Sequence, residues 1–277
     1  IYYCSKGVGI VNKKIVRFSS LLLALLMVLS LCACGEEEET YDYKSPVPTT
    51  TAEILERFNA AVAEAKKGNP GISYSIKQGA NMSGEQKDKC DNEYVKAAFK
   101  TVSKAITKES FSNETAYGES TKDIFPTFGS DTAPVLTNAD IRSAYVTENK
   151  DDGTGATYII VIKIYPEENP NQSDSVYGKL YNIMDDKEIL SHFDVVNSVV
   201  TVNSYSAQYG EGTIRATLKK ESNQLTELKL SRNVVVSTEL TGVGTLADLG
   251  TVPFEFNYES TETYSVDWFD PASKDAK

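Results

Sequence analysis

The hydrophobic and polar positions alternate most regularly near the end of the chain, between residues 252 and 268. Apolar side chains occupy one parity of this segment: Val252, Phe254, Phe256, Tyr258, Tyr264, Val266 and Trp268. The other parity carries Glu255, Asn257, Glu259, Thr261, Thr263, Ser265 and Asp267. Because successive side chains of a β-strand point to opposite faces, this pattern predicts a long strand with one apolar face and one wet face.

The rest of the second half also has the composition of strands. We predict them at 141–147, 157–165, 199–209, 212–219 and 225–240. The segment 150–155 is rich in Asp and Gly and predicts a hairpin turn between the first two strands. A helical pattern interrupts the strands between Ser175 and Phe193. Such a succession of strands is typical of an antiparallel sheet.

The first half has a helical pattern. Thr50 and Glu53 match a capping box, and Gly68 followed by Pro70 predicts the end of that helix. Its apolar face consists of Ile54, Leu55, Phe58, Ala61, Val62 and Ala65. A second helical face is formed by Tyr94, Val95, Ala98, Phe99, Val102, Ala105 and Ile106. Frequent Gly, Pro, Ser and Thr predict irregular structure from 109 to 136.

These patterns predict an α+β fold in which N-terminal helices cover the apolar face of an antiparallel β-sheet. The runs Gly212–Leu218 and Gln224–Leu228 resemble uncharacterised Gram-positive surface lipoproteins. The order of helices and strands is similar, at the level of architecture, to half-barrel lipid carriers of the LolA and LppX type. This resemblance implies a curved, half-barrel-like sheet whose concave apolar face is able to hold an acyl chain.

The N-terminus has the pattern of an export signal. Lys13, Lys14 and Arg17 precede an apolar run from Leu21 to Leu31, which is shorter than the ~20 residues that span a bilayer core. The end of the run resembles a bacterial lipobox, with Leu31 at −3, Ala33 at −1 and Cys34 as the lipidated residue.

Two alternatives to lipidation of Cys34 are an uncleaved anchor and an ordinary signal peptide cut near Ala33. Cys32 is a competing acceptor, but it would place the bulky Leu31 at −1. We expect a chain anchored through Cys34 on the extracytoplasmic face of the cell membrane, because two or three acyl chains give a stable anchor.

The domain organisation follows from these features. We expect a signal peptide at 1–33, a lipidated cysteine with an acidic, Pro-bearing spacer at 34–49, one α+β domain at 50–269, and a tail at 270–277.

The first ten residues precede the basic cluster of the signal segment. The codons for Lys6-Gly7-Val8 can contain a purine-rich ribosome-binding motif. We therefore hypothesise that translation begins at Val11 and that residues 1–10 are upstream sequence.

Charge and cysteine content exclude several classes of function. The net charge is −11, with 28 basic and 39 acidic residues. Four basic and no acidic residues precede Cys34, so the mature chain has 24 basic against 39 acidic residues, a net charge of −15. This balance argues against nucleic-acid binding. After processing, Cys90 is the one remaining cysteine, and it cannot form an internal disulfide or a multi-cysteine metal site.

We find no catalytic residue, no metal site and no cofactor motif in the sequence. His192 is the one histidine, and no G-x-S-x-G elbow accompanies it. The segment Asn149–Gly153 lacks the residue order of a calcium loop and is better explained as an exposed turn. An enzyme would need carboxylates that converge in a cleft, which spacing along the chain cannot identify.

The aromatic stripe of the last strand suggests a binding function. We predict that the ligand face includes Phe254, Phe256, Tyr258, Tyr264 and Trp268. The commoner explanation of such a stripe is core packing against helices. Our first hypothesis is a non-enzymatic surface lipoprotein that binds an apolar or amphiphilic ligand, with a lipid as one candidate. The second is an envelope interaction or structural protein that recognises a protein or a glycan through exposed aromatic patches.

Overall fold

A computed structural model describes residues 47–89, 92–106, 111–150, 156–181, 183 and 197–269. All of them belong to one compact unit, Tyr43–Lys277. The signal segment, Cys34, Cys90, the turn at 151–155 and His192 lie outside the described residues, as does most of the predicted helical segment after Tyr181.

The described helices are α1 (Thr51–Gly68), α2 (Gly84–Lys89), α3 (Glu93–Ile106) and α4 (Val176–Leu180), with a short 3₁₀ helix at Gly244–Leu249. The capping box is confirmed, because the Thr50 side chain accepts from the Glu53 N–H and the Glu53 carboxylate accepts from the Thr50 N–H. Asn69 adopts a left-handed conformation that ends α1. The predicted apolar face of α3 is wrong at Tyr94, which is 64% exposed.

The described strands form one curved, unclosed antiparallel sheet, which confirms the predicted fold class. They are β1 (Gly71–Asn81), β2 (Phe111–Thr115), β3 (Ile141–Lys150), β4 (Thr157–Ile164), β5 (Glu167–Glu168), β6 (Val200–Tyr209), β7 (Gly212–Lys219), β8 (Leu225–Gly242) and β9 (Thr251–Asp267). The main path has the order β2-β1-β9-β8-β7-β4-β3. Three of the described strands were not predicted: β1, β2 within the segment expected to be irregular, and the two-residue β5.

Two long strands form the middle of the sheet. The register of β8 against β9 runs without interruption from Glu227↔Ser265 to Thr241↔Thr251. The other edge of β8 has two partners in succession. It pairs with β7 up to Ser231 and with β6 from Val234 onward, so the sheet forks between these two residues.

One side of the sheet, its inner face, carries the core. Helix α1 packs on β3 and β8, α2 on β9, and α3 on β1. We call the inner face of β6, of β8 from Val234 onward and of β9 up to Tyr258 the distal half, and the remainder the proximal half. Proximal side chains such as Ile214, Leu228 and Tyr264 are fully buried, whereas Tyr74 and Trp268 at the margins of this half keep partial exposure.

A buried lysine fixes the segment that follows β2 to α1. The ammonium group of Lys66 donates to the carbonyl oxygens of Phe125 (2.8 Å), Thr127 (3.0 Å) and Ser130 (2.8 Å). Burial lowers the pKa of Lys66 to about 8, although two nearby aspartates oppose the shift. Because an ammonium has three N–H donors, the three carbonyls use all of them. Lys66 therefore has a structural role.

Candidate functional site

The first part of the predicted aromatic stripe lies in the distal half and contacts α3. Phe254 and Phe256 are each 3% exposed. The Phe99 ring lies 5.8 Å from that of Phe254 and 5.7 Å from that of Phe256, measured between centroids. Tyr258 is only half-buried, and its hydroxyl donates to Gln78 Oε1 at 2.6 Å. These three stripe residues thus line one end of the inner face.

The other two stripe residues lie in the proximal half. The Tyr264 ring packs 4.9 Å from Tyr74 and 5.4 Å, edge to face, from Phe125. Trp268 donates through Nε1 to the carbonyl of Leu225 at 2.7 Å and lies over the end of α1. The structure therefore does not bring the five predicted residues into one cluster. It places them in two groups at opposite ends of β9.

Between these groups, the inner face is polar. Ser260 and Glu262 have the same parity as the aromatic residues and are 3% and 0% exposed. On β8, the residue opposite Ser260 is Arg232, which is also buried. The prediction of a wholly apolar face is thus wrong at its centre. The alternation predicts which side each residue faces, but Ser260 and Glu262 interrupt the apolar residues on that side.

The buried pair is incompletely hydrogen-bonded. Arg232 Nε donates to Ser260 Oγ at 2.8 Å, and Tyr264 donates its hydroxyl to Glu262 Oε2 at 2.7 Å. The shortest ion-pair distance, from Arg232 Nη2 to Glu262 Oε1, is 3.7 Å. Over the described ranges, neither Arg232 Nη1 nor Glu262 Oε1 has a hydrogen-bond partner. Buried polar atoms normally have partners, so these two atoms mark a candidate site.

Three tyrosine rings surround the guanidinium group. Its central carbon lies 5.0 Å from the ring centroid of Tyr181, 5.7 Å from that of Tyr258 and 6.0 Å from that of Tyr209. Aromatic faces attract cations, and the attraction is stronger where water is excluded. Tyr181, which follows α4, is anchored by a hydrogen bond from its hydroxyl to the Ser231 carbonyl at 3.0 Å. The rings thus hold Arg232 in the polar centre of the sheet.

Burial shapes the titration of this cluster. It raises the pKa of Glu262, while the charge of Arg232 and the hydrogen bond from Tyr264 act in the opposite direction. Burial also raises the pKa of Tyr181 and Tyr264 well above the usual value for a phenol, so both hydroxyls remain neutral. Burial lowers the pKa of Arg232, but Glu262 and neighbouring tyrosines more than reverse this, and the net shift is upward.

The inner face beside this cluster is incompletely covered. Four distal side chains keep partial exposure, Val202, Tyr205, Val252 and Tyr258, as does Ala80 on the adjoining strand β1. Ala80 and Tyr258 form the row next to that of Arg232, whereas Val202 and Val252, joined through the intervening β8 residue, form the last row. A row of buried side chains lies between them: Phe256, Val236 and Ala207. The accessible apolar surface therefore consists of one patch beside Arg232 and a second patch at the distal end of the sheet.

Two grooves lie elsewhere, where β2, β1 and β9 meet. One has a volume of about 390 Å³ and is bordered by the exposed rings of Tyr117 and Phe269. Its lining also includes the hydroxyls of Ser73 and Ser265, and Thr115, whose Oγ1 is buried with no hydrogen-bond partner over the described ranges. The second, about 440 Å³, adjoins it along the exposed face of the same strands. Neither groove includes a residue of the predicted ligand face.

No group of three His, Cys, Asp or Glu side chains in the described ranges is placed to hold a metal ion. In the part of the chain that the structure describes, no helix is both long enough and apolar enough to span a membrane.

We predict that the buried pair is coupled energetically. Arg232→Met should lower the free energy of unfolding by ~3–5 kcal/mol, because it leaves the Glu262 carboxylate buried without a counterion. Arg232→Met/Glu262→Leu should recover most of this loss, since it removes both charges. Urea unfolding measures each value. Lys229→Met, on the exposed side of the same strand, is the control and should change stability by about 0.5 kcal/mol or less. A double variant as unstable as the single one would show that the charges are not coupled.

Comparison of the whole chain with models of protein families, with curated proteins and with solved structures finds no match.

Proposed function

We propose that this chain is a lipoprotein, anchored by Cys34 to the extracytoplasmic face of the cell membrane, whose domain binds an amphiphilic ligand on the distal half of the inner face. The role proposed for the domain is binding, without catalysis. The lipobox-like segment from Leu31 to Cys34 supports the anchor. One observation carries the binding proposal: partly exposed apolar side chains, beginning with Tyr258, share the inner face of a curved sheet with a buried, incompletely hydrogen-bonded Arg232–Glu262 pair.

An amphiphile has both kinds of surface that this arrangement offers. Its apolar part would remove the accessible faces of Val202, Tyr205 and Val252 from water, which stabilises a complex by about 25 cal/mol per Å² buried before the costs of association. Its polar end would meet Arg232 and Glu262. Ligand pockets commonly combine an apolar lining with a few polar groups in this way.

The anchor predicts a specific labelling result. When the chain is expressed in a Gram-positive host supplied with an alkyne fatty acid, Cys34→Ser should abolish labelling, because no acceptor thiol remains at the lipobox position. Cys32→Ser is the matched control and should label like the wild type. In-gel fluorescence after click coupling measures both. Undiminished labelling of the Cys34→Ser chain would contradict the proposed anchor.

Ligand binding predicts retention of lipid by the inner face. The chain from residue 34 onward, carrying Cys34→Ser, is incubated with lipid extract, purified and analysed by native mass spectrometry. We expect about one lipid per chain. Val202→Asp should reduce occupancy at least tenfold, since an unpaired carboxylate would be desolvated against the lipid.

The matched control for this measurement is Thr201→Asp, which places the same charge on the neighbouring, exposed position of β6. It should retain lipid at the wild-type level. An apo wild-type protein, under conditions in which an established lipid binder keeps its ligand, would refute lipid binding. Equal loss in both variants would show that the inner face is not the site.

A second candidate function, recognition of an envelope glycan, is favoured by the groove at β2, β1 and β9. Its exposed rings, Tyr117 and Phe269, stand beside hydroxyl and carboxylate groups, including Glu114 and Asp267. A sugar presents an apolar C–H face that stacks on aromatic rings and hydroxyls that bond to polar side chains. A glycan is therefore the occupant that this groove fits best.

The glycan proposal predicts co-sedimentation with purified Gram-positive cell-wall glycan. Tyr117→Ala should weaken binding by about tenfold, which corresponds to the loss of one aromatic contact. Tyr145→Ala removes an equally exposed tyrosine from β3, outside the groove, and should bind normally. Failure of the wild type to sediment, or equal losses in both variants, would reject the groove as a glycan site.

A further inference from the structure

The polar centre of the inner face has an unused capacity for binding an anion. A guanidinium group has five N–H donors in a planar fork, which matches the oxygens of a carboxylate or phosphate. Arg232 bonds to Ser260 through Nε, whereas Nη1 has no partner over the described ranges and Nη2 is 3.7 Å from Glu262. The fork therefore lacks the close bidentate acceptor that this side chain prefers.

We propose that the amphiphile is anionic and that its carboxylate or phosphate group replaces Glu262 as the counterion of Arg232, while Glu262 takes up one proton from solvent. This inference rests on the proposed binding function and specifies the chemistry of the ligand. Before binding, Arg232 and Glu262 balance each other. After binding, the ligand balances Arg232 and the protonated Glu262 is neutral, so the site holds no net charge in either state.

The geometry provides a place for the proton. Tyr264 donates to Oε2 of Glu262, and the other oxygen, Oε1, has no hydrogen-bond partner over the described ranges. A proton on Oε1 leaves the Tyr264 bond intact and makes Oε1 a donor toward an incoming anion. Burial already raises the pKa of Glu262, which favours this protonation.

The charged and titratable groups that act on Glu262 come from β8, β9, β1 and the residue after α4. They are Arg232 on β8, Tyr264 on β9, Tyr74 on β1 and Tyr181, which follows α4. Burial keeps the pKa of all three tyrosines above the usual value, so none of these phenols titrates near neutral pH. Glu262 is consequently the group of this cluster that changes charge when the anion binds.

The approach to Arg232 is from the distal half. Tyr258 lies over the guanidinium group at 5.7 Å and is itself half-buried, in the row next to that of Arg232. In the other direction, Glu262, Leu230 and Tyr264 are fully buried. A head group that reaches Arg232 past Tyr258 thus leaves its apolar chain on the distal side of that ring.

The test compares two probes of equal chain length, dansyl-aminoundecanoic acid and its methyl ester, by fluorescence titration of the Cys34→Ser chain from residue 34 onward. We expect the acid to bind at least tenfold tighter than the ester at about pH 6.5. Its affinity should fall by up to about tenfold per pH unit toward about pH 8.5, where the carboxylate of the probe stays ionised, because binding takes up one proton. The affinity of the ester should not change with pH.

Two variants of the pair separate its charges. In the Glu262→Gln variant the side chain is already neutral, so binding of the acid requires no proton uptake. This variant should bind the acid with no pH dependence, and more tightly than the wild type does at about pH 8.5. Arg232→Met/Glu262→Leu carries neither charge and should bind acid and ester equally. Lys229→Met, which removes a cation from the exposed side of β8, should behave as the wild type does.

The outcomes distinguish the inference from the function on which it rests. Equal binding of acid and ester by the wild type, or a pH dependence that persists in Glu262→Gln, overturns the anion exchange and leaves amphiphile binding intact. Binding of neither probe overturns both. Inorganic phosphate at millimolar concentration should not displace the acid. If it does so fully, the site takes free anions, and the assignment to an amphiphile is overturned.

Discussion

The structure depends on the ladder between β8 and β9. These strands contain 18 and 17 residues, and every other strand of the sheet is linked to one of them, either directly or through a neighbouring strand. β9 pairs with β1 on the edge that faces away from β8, and β1 pairs in turn with β2. β8 pairs with β7 at one end and with β6 at the other. Side chains of a strand alternate strictly between the two faces of the sheet. The register of the ladder therefore also determines which side chains of both strands meet inside the core.

The polar centre of the inner face is a consequence of that register. Since Arg232 lies opposite Ser260, a slip of one residue would turn either strand's polar group to solvent and its neighbours into the core. A buried ion pair contributes little net stability, because desolvation of the charges offsets their attraction. Its bonds are nevertheless directional, and a pair of this kind is suited to fixing the register of two long strands. This structural role and the proposed binding role use different atoms: Nε and Oε2 are hydrogen-bonded to the protein, whereas Nη1 and Oε1 have no hydrogen-bond partner among the described residues.

The sequence was sufficient for the fold class and for most of the strands because their signals are local. Each signal is formed by residues that are close together in the chain, as in the capping box at Thr50, the β3–β4 hairpin and the alternation of β9. β1 also carries such a signal, because Ile72, Tyr74 and Ile76 alternate with polar residues between two helical segments. Tyr94 was misassigned because a helical pattern predicts a face and does not tell where that face ends.

The candidate site could not be predicted in the same way, since its members are brought together by pairing between distant strands. Arg232 and Glu262 are 30 residues apart in a chain with 28 basic and 39 acidic residues, so charge gives no reason to join them. Parity did hold the necessary hint: Ser260 and Glu262 interrupt the apolar face of an otherwise regular strand.

The Arg232–Glu262 pair lies close to the point at which the sheet forks. Between Ser231 and Val234, β8 exchanges β7 for β6, and the hairpin that joins those strands contributes Gly210, whose N–H donates to the Asn233 carbonyl. At this position the inner face passes from the half that α1 packs on to the half in which several side chains stay partly exposed. A charged side chain further into the proximal half would be beyond the reach of a ligand. A charged side chain at the distal end would be solvated, and its attraction for a ligand would be weak. The fork is thus the point at which a buried charge remains strong and can still be approached.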